Sequence, residues 1–138
     1  MNPQNKKVLL IEDEELIREL YARQLNKSGF WVKSTADAET GLQILNQEKF
    51  DLLLLDIMLP GMNGLELLRE FKNKFPDSTM LVILLTNLGQ ESVIKEGFEL
   101  GANAYLIKTS YTPDQIVQEV RNTLDGKLPQ PTPPPNPT

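Results

Sequence analysis

The sequence predicts an α/β domain built as a doubly wound, five-stranded parallel sheet of the (βα)5 kind. Short apolar runs alternate with segments whose apolar residues recur at helical spacing, which gives five βα units. Three of the runs, VLLI, LLLL and LVILL, are apolar throughout, as strands buried on both faces by crossover helices must be. No internal repeat accompanies the alternation, so the units close one sheet.

The elements follow in order. Lys6–Ile11 (KKVLLI) reads as the first strand. Glu14–Ser28 is the first helix, with Leu16, Ile17, Leu20 and Leu25 on or near one face and Gly29 as its stop. Phe30–Ser34 (FWVKS) is short and half-polar, fit for an edge strand. Asp37–Glu48 carries Ala38, Leu42 and Leu45 at helical spacing, with Ile44 alongside. Asp51–Leu55 is the third strand and Gly64–Lys74 the third helix, opened by a loose capping box of Asn63 and Glu66. Met80–Leu85 (MLVILL) is a buried strand, followed by a helix from about Gln90 to Leu100 and a Gly101 stop. Ala104–Ile107 (AYLI) is the last strand. Thr112-Pro113-Asp114-Gln115 opens the last helix, Pro113–Leu124, with an N-cap threonine, proline at the first position and glutamine at the third.

Composition narrows the chemistry. At 138 residues the chain is one domain's worth, and 40% hydrophobic with 24% charged residues is ordinary for a soluble globular protein. A net charge of −5 argues against nucleic acid or an anionic membrane as a direct partner. The absence of cysteine suits a reducing compartment, and a cytoplasmic location is expected. With neither cysteine nor histidine, thiolate and imidazole catalysis and Cys- or His-ligated metals are excluded. The N-terminal apolar run is too short for a signal peptide, and no stretch reaches transmembrane length. The domain is expected over 1–125. The remainder, 126–138, holds six prolines and reads as an exposed polyproline-like tail or linker stub, with Pro131-x-x-Pro134 a lesser docking candidate.

The run DLLLLDIMLPGMNG ends a fully apolar strand in a carboxylate, Asp56, whose burial is costly without compensation. Three of the other strands also deliver polar groups: Glu12 and Asp13 after the first, Thr86 after the fourth, Lys108 after the fifth. In a parallel doubly wound sheet all these ends share one rim, where such folds place their sites. Three carboxylates and one ammonium leave two negative charges, which a divalent cation balances. An all-oxygen donor set favours Mg²⁺, with Mn²⁺ as the second candidate. Mg²⁺ completes its shell with waters and phosphate oxygens, so the rim suits a phosphoryl group.

The acidic pair after LLI, then LLLLDIMLPGMNG, LLT and YLIK together resemble the receiver domain of two-component response regulators, over residues 6 to 125. The resemblance is to the stand-alone, chemotaxis-regulator-like form. It implies a flavodoxin-like strand order 2-1-3-4-5. It implies that Asp56 accepts a phosphoryl group from a sensor histidine kinase or phosphotransfer protein. Mg²⁺ would be bound by Glu12, Asp13 and Asp56 with the backbone carbonyl of Met58. Thr86 and Lys108 would contact the phosphoryl oxygens, and Thr86 and Tyr105 would act in the switch. The chain would be a phosphoacceptor switch rather than an enzyme, limited to self-phosphorylation from small donors and autodephosphorylation. It would signal to a downstream protein as a monomer or a phosphorylation-dependent dimer, through the face made by 90–100, 104–107 and 113–124.

The chain departs from the family pattern at two places. Thr109 follows the lysine where proline is common, and Asn87 follows the threonine where a small residue is usual. Met58 and Leu88 put apolar side chains where dephosphorylation is tuned, which predicts a long-lived phosphoryl state. Singly, the residues have plainer readings: Asp13 as a helix N-cap, Glu12 as a solvated side chain, Lys108 as a surface lysine, Tyr105 as edge-strand packing. A phosphohydrolase would place a second aspartate two residues after the first, where Met58 stands, and no G-x-x-x-x-G-K-[ST] supports a P-loop NTPase. The competing function is a receiver-like adapter that binds partners without phosphorylation.

Overall fold

In the computed structural model of the chain, residues 5–87 and 91–127 are described. Leu88, the Gln90 helix start and the proline-rich tail beyond Lys127 lie outside the described residues. The chain runs β1 (Lys7–Ile11), α1 (Glu15–Lys27), β2 (Trp31–Thr35), α2 (Ala38–Gln47), β3 (Leu52–Asp56), α3 (Gly64–Lys74), β4 (Leu81–Thr86), α4 (Glu91–Glu99), β5 (Ala104–Ile107), a 3₁₀ turn (Lys108–Ser110) and α5 (Pro113–Leu124). The five strands form one parallel sheet in the order β2-β1-β3-β4-β5. The expected fold and strand order are those observed.

Alternation along the central strands divides the core. Leu9, Ile11, Leu53, Leu55, Val82 and Leu84 pack on one face with Leu67, Leu68 and Phe71 of α3. Val8, Leu10, Leu52, Leu54, Ile83 and Leu85 pack on the other with Tyr21 and Leu25 of α1 and Ile116, Val117 and Val120 of α5. A period of two inside an all-apolar strand needs a helix layer on each side, which the crossovers supply. The half-polar β2 is an edge, as its sequence predicted.

The buried line of α1 differs from the expectation. Leu16 is 80% and Leu20 40% exposed, and the line facing the sheet is Ile17, Tyr21 and Leu25, at four-residue steps. Hydrophobicity alone ranked the leucines above a tyrosine whose ring packs well beneath its hydroxyl. β2, β3 and β4 each end one residue later than expected, at Thr35, Asp56 and Thr86. The sheet holds those polar ends by backbone bonds: Glu12 N–H donates to the Thr35 carbonyl at 3.1 Å, and Ile57 N–H to the Leu85 carbonyl at 3.0 Å.

The helix starts match their signatures. Asn63 with Glu66 and Thr112 with Gln115 both form complete capping boxes. The N-cap of α1 is Glu14 rather than Asp13. α2 is capped by Asp37, whose carboxylate accepts the Thr40 N–H at 2.7 Å. That bond holds the Asp37 carboxyl below its usual value. A carboxyl lowered in the folded state stabilises above its unfolded pKa, and that contribution is lost as pH falls through the folded pKa. Asp37→Ala should therefore lower stability at neutral pH by about 1 kcal/mol. The gap to wild type should close in acid, as read from urea midpoints by circular dichroism at each pH.

Candidate functional site

The parallel register brings the carboxyl ends of β1, β3, β4 and β5 to one rim, with Ile11 beside Leu55, Asp56 beside Leu85 and Thr86 beside Ile107. Glu12 and Asp13 leave β1, Asp56 closes β3, Thr86 closes β4, and Lys108 begins the turn after β5. Of these, Glu12, Asp56 and Thr86 are buried and Asp13 is exposed.

Lys108 is the hub. Its ammonium donates to Asp56 Oδ2 at 3.0 Å and to Glu12 Oε1 at 3.1 Å, and its side chain is only 10% exposed. The second oxygen of each carboxylate is held by backbone: Asp56 Oδ1 accepts Met58 N–H at 3.0 Å, and Glu12 Oε2 accepts Glu14 N–H at 3.0 Å. Glu14 stands farther off, 4.0 Å from the ammonium. Neither the solvated glutamate nor the surface lysine survives as a reading.

The electrostatics match a site short of positive charge. Burial, reinforced by the neighbouring Asp56 charge, pushes Glu12 up to about 7 against the bonds from Glu14 and Lys108. Burial likewise raises Asp56, opposed by Lys108. Lys108 would be lowered by burial, but its contacts with Asp56 and Glu12 prevail and raise it. One oxygen each from Glu12, Asp13 and Asp56 lies within 4.8 Å of the others, a spacing that fits one oxygen-bound cation.

The remaining predicted residues surround this cluster. Thr86 Oγ1 donates to the Asn87 carbonyl at 3.2 Å. Met58 presents its N–H to Asp56 while its side chain is half-exposed. Tyr105 is partly buried on the α2–α3 face of the sheet with its ring edge-on to Phe98 at 6.1 Å. Thr109 and Ser110 complete the 3₁₀ turn that starts at Lys108.

Two contributors carried no legible signal. Arg18 Nη1 donates to the Glu12 carbonyl at 2.9 Å, a side-chain-to-backbone contact without a sequence signature. Gly64, read as a helix start, also abuts Asp56: a Cβ there would lie 2.5 Å from the Asp56 carbonyl oxygen.

At the amino ends of the strands a cavity of about 440 Å³ opens among Leu45, Phe50, Phe71, Phe75 and Met80. Its rim carboxylate, Glu48, is already bound by Lys7 and Lys33 and held below its usual value by them. The titratable chemistry lies at the other end of the sheet.

The chain is similar to known proteins in sequence and in fold. The response regulator receiver domain profile matches residues 8–121. Sporulation initiation phosphotransferase F of Bacillus subtilis (strain 168) is 35% identical over 123 residues, 89% of this chain and 97% of that protein. The alkaline phosphatase synthesis transcriptional regulatory protein PhoP of the same organism is 37% identical, over 87% of this chain and 49% of that protein. The chain thus spans about half the length of the transcriptional regulators it matches and nearly all of the phosphotransferase. A response regulator receiver domain protein from Methanospirillum hungatei JF-1 superposes with a TM-score of 0.80 at 30% identity, over 88% of this chain and 94% of that one.

Proposed function

The chain belongs to the response regulator receiver domain family of two-component signalling, and from that premise we propose that Asp56 accepts a phosphoryl group and switches a protein-binding face. The observation that supports this most directly is the buried Asp56–Lys108–Glu12 bridge, with Asp13 alongside. In the transfer, an Asp56 carboxylate oxygen forms a bond to phosphorus as the bond from phosphorus to the donor breaks. The donor nitrogen keeps the electron pair, and an acyl phosphate results. The donor would be a phosphohistidine on a sensor kinase or phosphotransfer protein.

Glu12, Asp13 and Asp56 are the residues that would hold Mg²⁺, or Mn²⁺, with the Met58 carbonyl completing the protein's share. When bound, that ion neutralises phosphoryl oxygens. Lys108 turns from the Asp56 carboxylate to a phosphoryl oxygen while its second bond, to Glu12, keeps its stem in place. Thr86, one strand over, offers a hydroxyl to another oxygen. New charge-assisted bonds of about 1.5–3 kcal/mol each supply most of the roughly 5.5 kcal/mol needed to invert a two-state population. Movement at Thr86 would reach Tyr105 and the α4–β5–α5 face, where a downstream protein or a second copy docks. The family acts as a signalling switch rather than as an enzyme, and in this reading the chain works in the cytoplasm; among the described residues no helix is long and apolar enough to cross a membrane.

The test is intact mass after incubation with a small acyl-phosphate donor. One phosphoryl adduct forms in Mg²⁺ and none in EDTA. No adduct under either condition would favour an adapter that works without phosphorylation. A separate expectation concerns the cation alone. At 10 times its Kd, Mg²⁺ should raise stability by about 1.4 kcal/mol through mass action. Asp13→Asn should lose most of the resulting rise in Tm, and an equal rise in the variant would place the ion elsewhere.

A further inference from the structure

Asp13 is exposed, yet the residues on either side of it are held firmly. The Glu12 N–H donates to the Thr35 carbonyl at 3.1 Å, and both Glu12 carboxylate oxygens are engaged. The remaining polar atom of Glu12, its carbonyl, accepts the Arg18 guanidinium at 2.9 Å. The Arg18 backbone N–H donates to the Glu14 carbonyl at 2.8 Å. The second of these is the opening i→i−4 bond of α1, so what arginine itself adds is the side-chain bond that ties the Glu12 carbonyl, on the far side of Asp13, to the first turn of that helix.

We propose that Arg18 is a positioning residue for cation binding, clamping the β1–α1 loop so that Glu12 and Asp13 keep their oxygens aimed at Asp56. This rests on the reading of the acidic cluster as a Mg²⁺ site. Arg18 belongs to α1, so the clamp fixes the loop to the helix that packs beneath it through Ile17, Tyr21 and Leu25. Two effects of Arg18 oppose each other. Its positive charge repels a cation, and removing that charge would tighten binding by about threefold at a screened surface. Its grip preorganises the carboxylates, and losing an outer partner of a metal ligand weakens binding about 10–100-fold. The grip prevails because the loop has no other side-chain anchor from α1 among the described residues.

The experiment is Mn²⁺ binding to the full chain by electron paramagnetic resonance, with Tm measured separately in EDTA. Arg18→Met keeps the aliphatic stem and removes the donor, and should weaken Mn²⁺ about tenfold. Arg18→Lys keeps the charge and one donor, and should fall between wild type and Arg18→Met. A residue that merely stabilised the fold would lower Tm in EDTA and leave the Mn²⁺ affinity of the folded protein unchanged, which overturns the proposal. Tighter binding in Arg18→Met also overturns it, since charge would then dominate. Should Arg18→Met not fold, unchanged affinity in Arg18→Lys overturns it alone. Wild type that binds no Mn²⁺ overturns the metal-site reading itself, and the clamp with it.

Discussion

Asp56→Asn should take up no phosphoryl group and should be the more stable protein. Asp56 is buried at the end of an apolar strand, with Glu12 and Asp13 oxygens within 4.8 Å. Its charge is held against burial by one ammonium, which it shares with Glu12. Asparagine keeps the shape and one oxygen, enough for the Lys108 donor on one carboxylate position or the Met58 donor on the other but not for both, while removing one of three crowded negative charges. Relief of that repulsion exceeds the loss of a shared ion pair, so metal-free stability should rise by about 1 kcal/mol. That corresponds to roughly 3 °C in Tm for a domain of this size. The rise in Tm on adding Mg²⁺ should shrink in the same variant. Intact mass and thermal melts with and without Mg²⁺ read both halves. An adduct on the variant would move the acceptor elsewhere, and a lower metal-free Tm would mean that the ion pair outweighs the crowding.

Gly64→Ala should lose about 3 kcal/mol, the upper end for overpacking. The added Cβ would meet the Asp56 carbonyl oxygen at 2.5 Å and the Ile57 Cα at 3.0 Å, both backbone atoms. The Gly64 N–H also donates to the Ile57 carbonyl at 2.9 Å, so α3 cannot slide away without breaking that bond. The strain falls on the Asp56–Ile57 peptide, and phosphoryl uptake should slow together with the loss of stability. Gly41→Ala gives the contrast. There the Cβ would meet the tip of the Ile11 side chain, which has a rotamer to yield, and the cost should be nearer 1 kcal/mol. Urea midpoints of the two variants decide the matter; equal losses would show that the Asp56–Ile57 backbone gives as easily as a side chain.

Fold and site were unequally legible in the sequence. The all-apolar runs and the two capping boxes specify α3, β5 and α5 to the residue, because burial and capping are local demands. The strand ends at Asp56 and Thr86 fell one residue beyond the apolar runs, because the sheet's backbone bonds continue where hydrophobicity stops. The exposed Leu16 and buried Tyr21 show the same limit on α1, where docking geometry chooses among neighbouring faces. At the site, Glu12, Asp13, Asp56 and Lys108 were legible as polar residues after buried strands. The three-way bridge was not, since one lysine spanning partners 96 and 52 residues away depends on strand order. Arg18 and Gly64 act on backbone atoms, and such contacts leave no residue-type pattern to read.

Trp31, the one tryptophan in the chain, opens β2 opposite Lys7, with the Lys7 ammonium 4.9 Å and the Phe50 ring 6.3 Å from its own. The rim lies at the far ends of the strands, about five residues or roughly 16 Å along the sheet. Intrinsic fluorescence from this protein should therefore follow the melting of its edge strand faithfully and stay dark to cation and phosphoryl chemistry. An optical assay of the switch needs a reporter introduced near the rim.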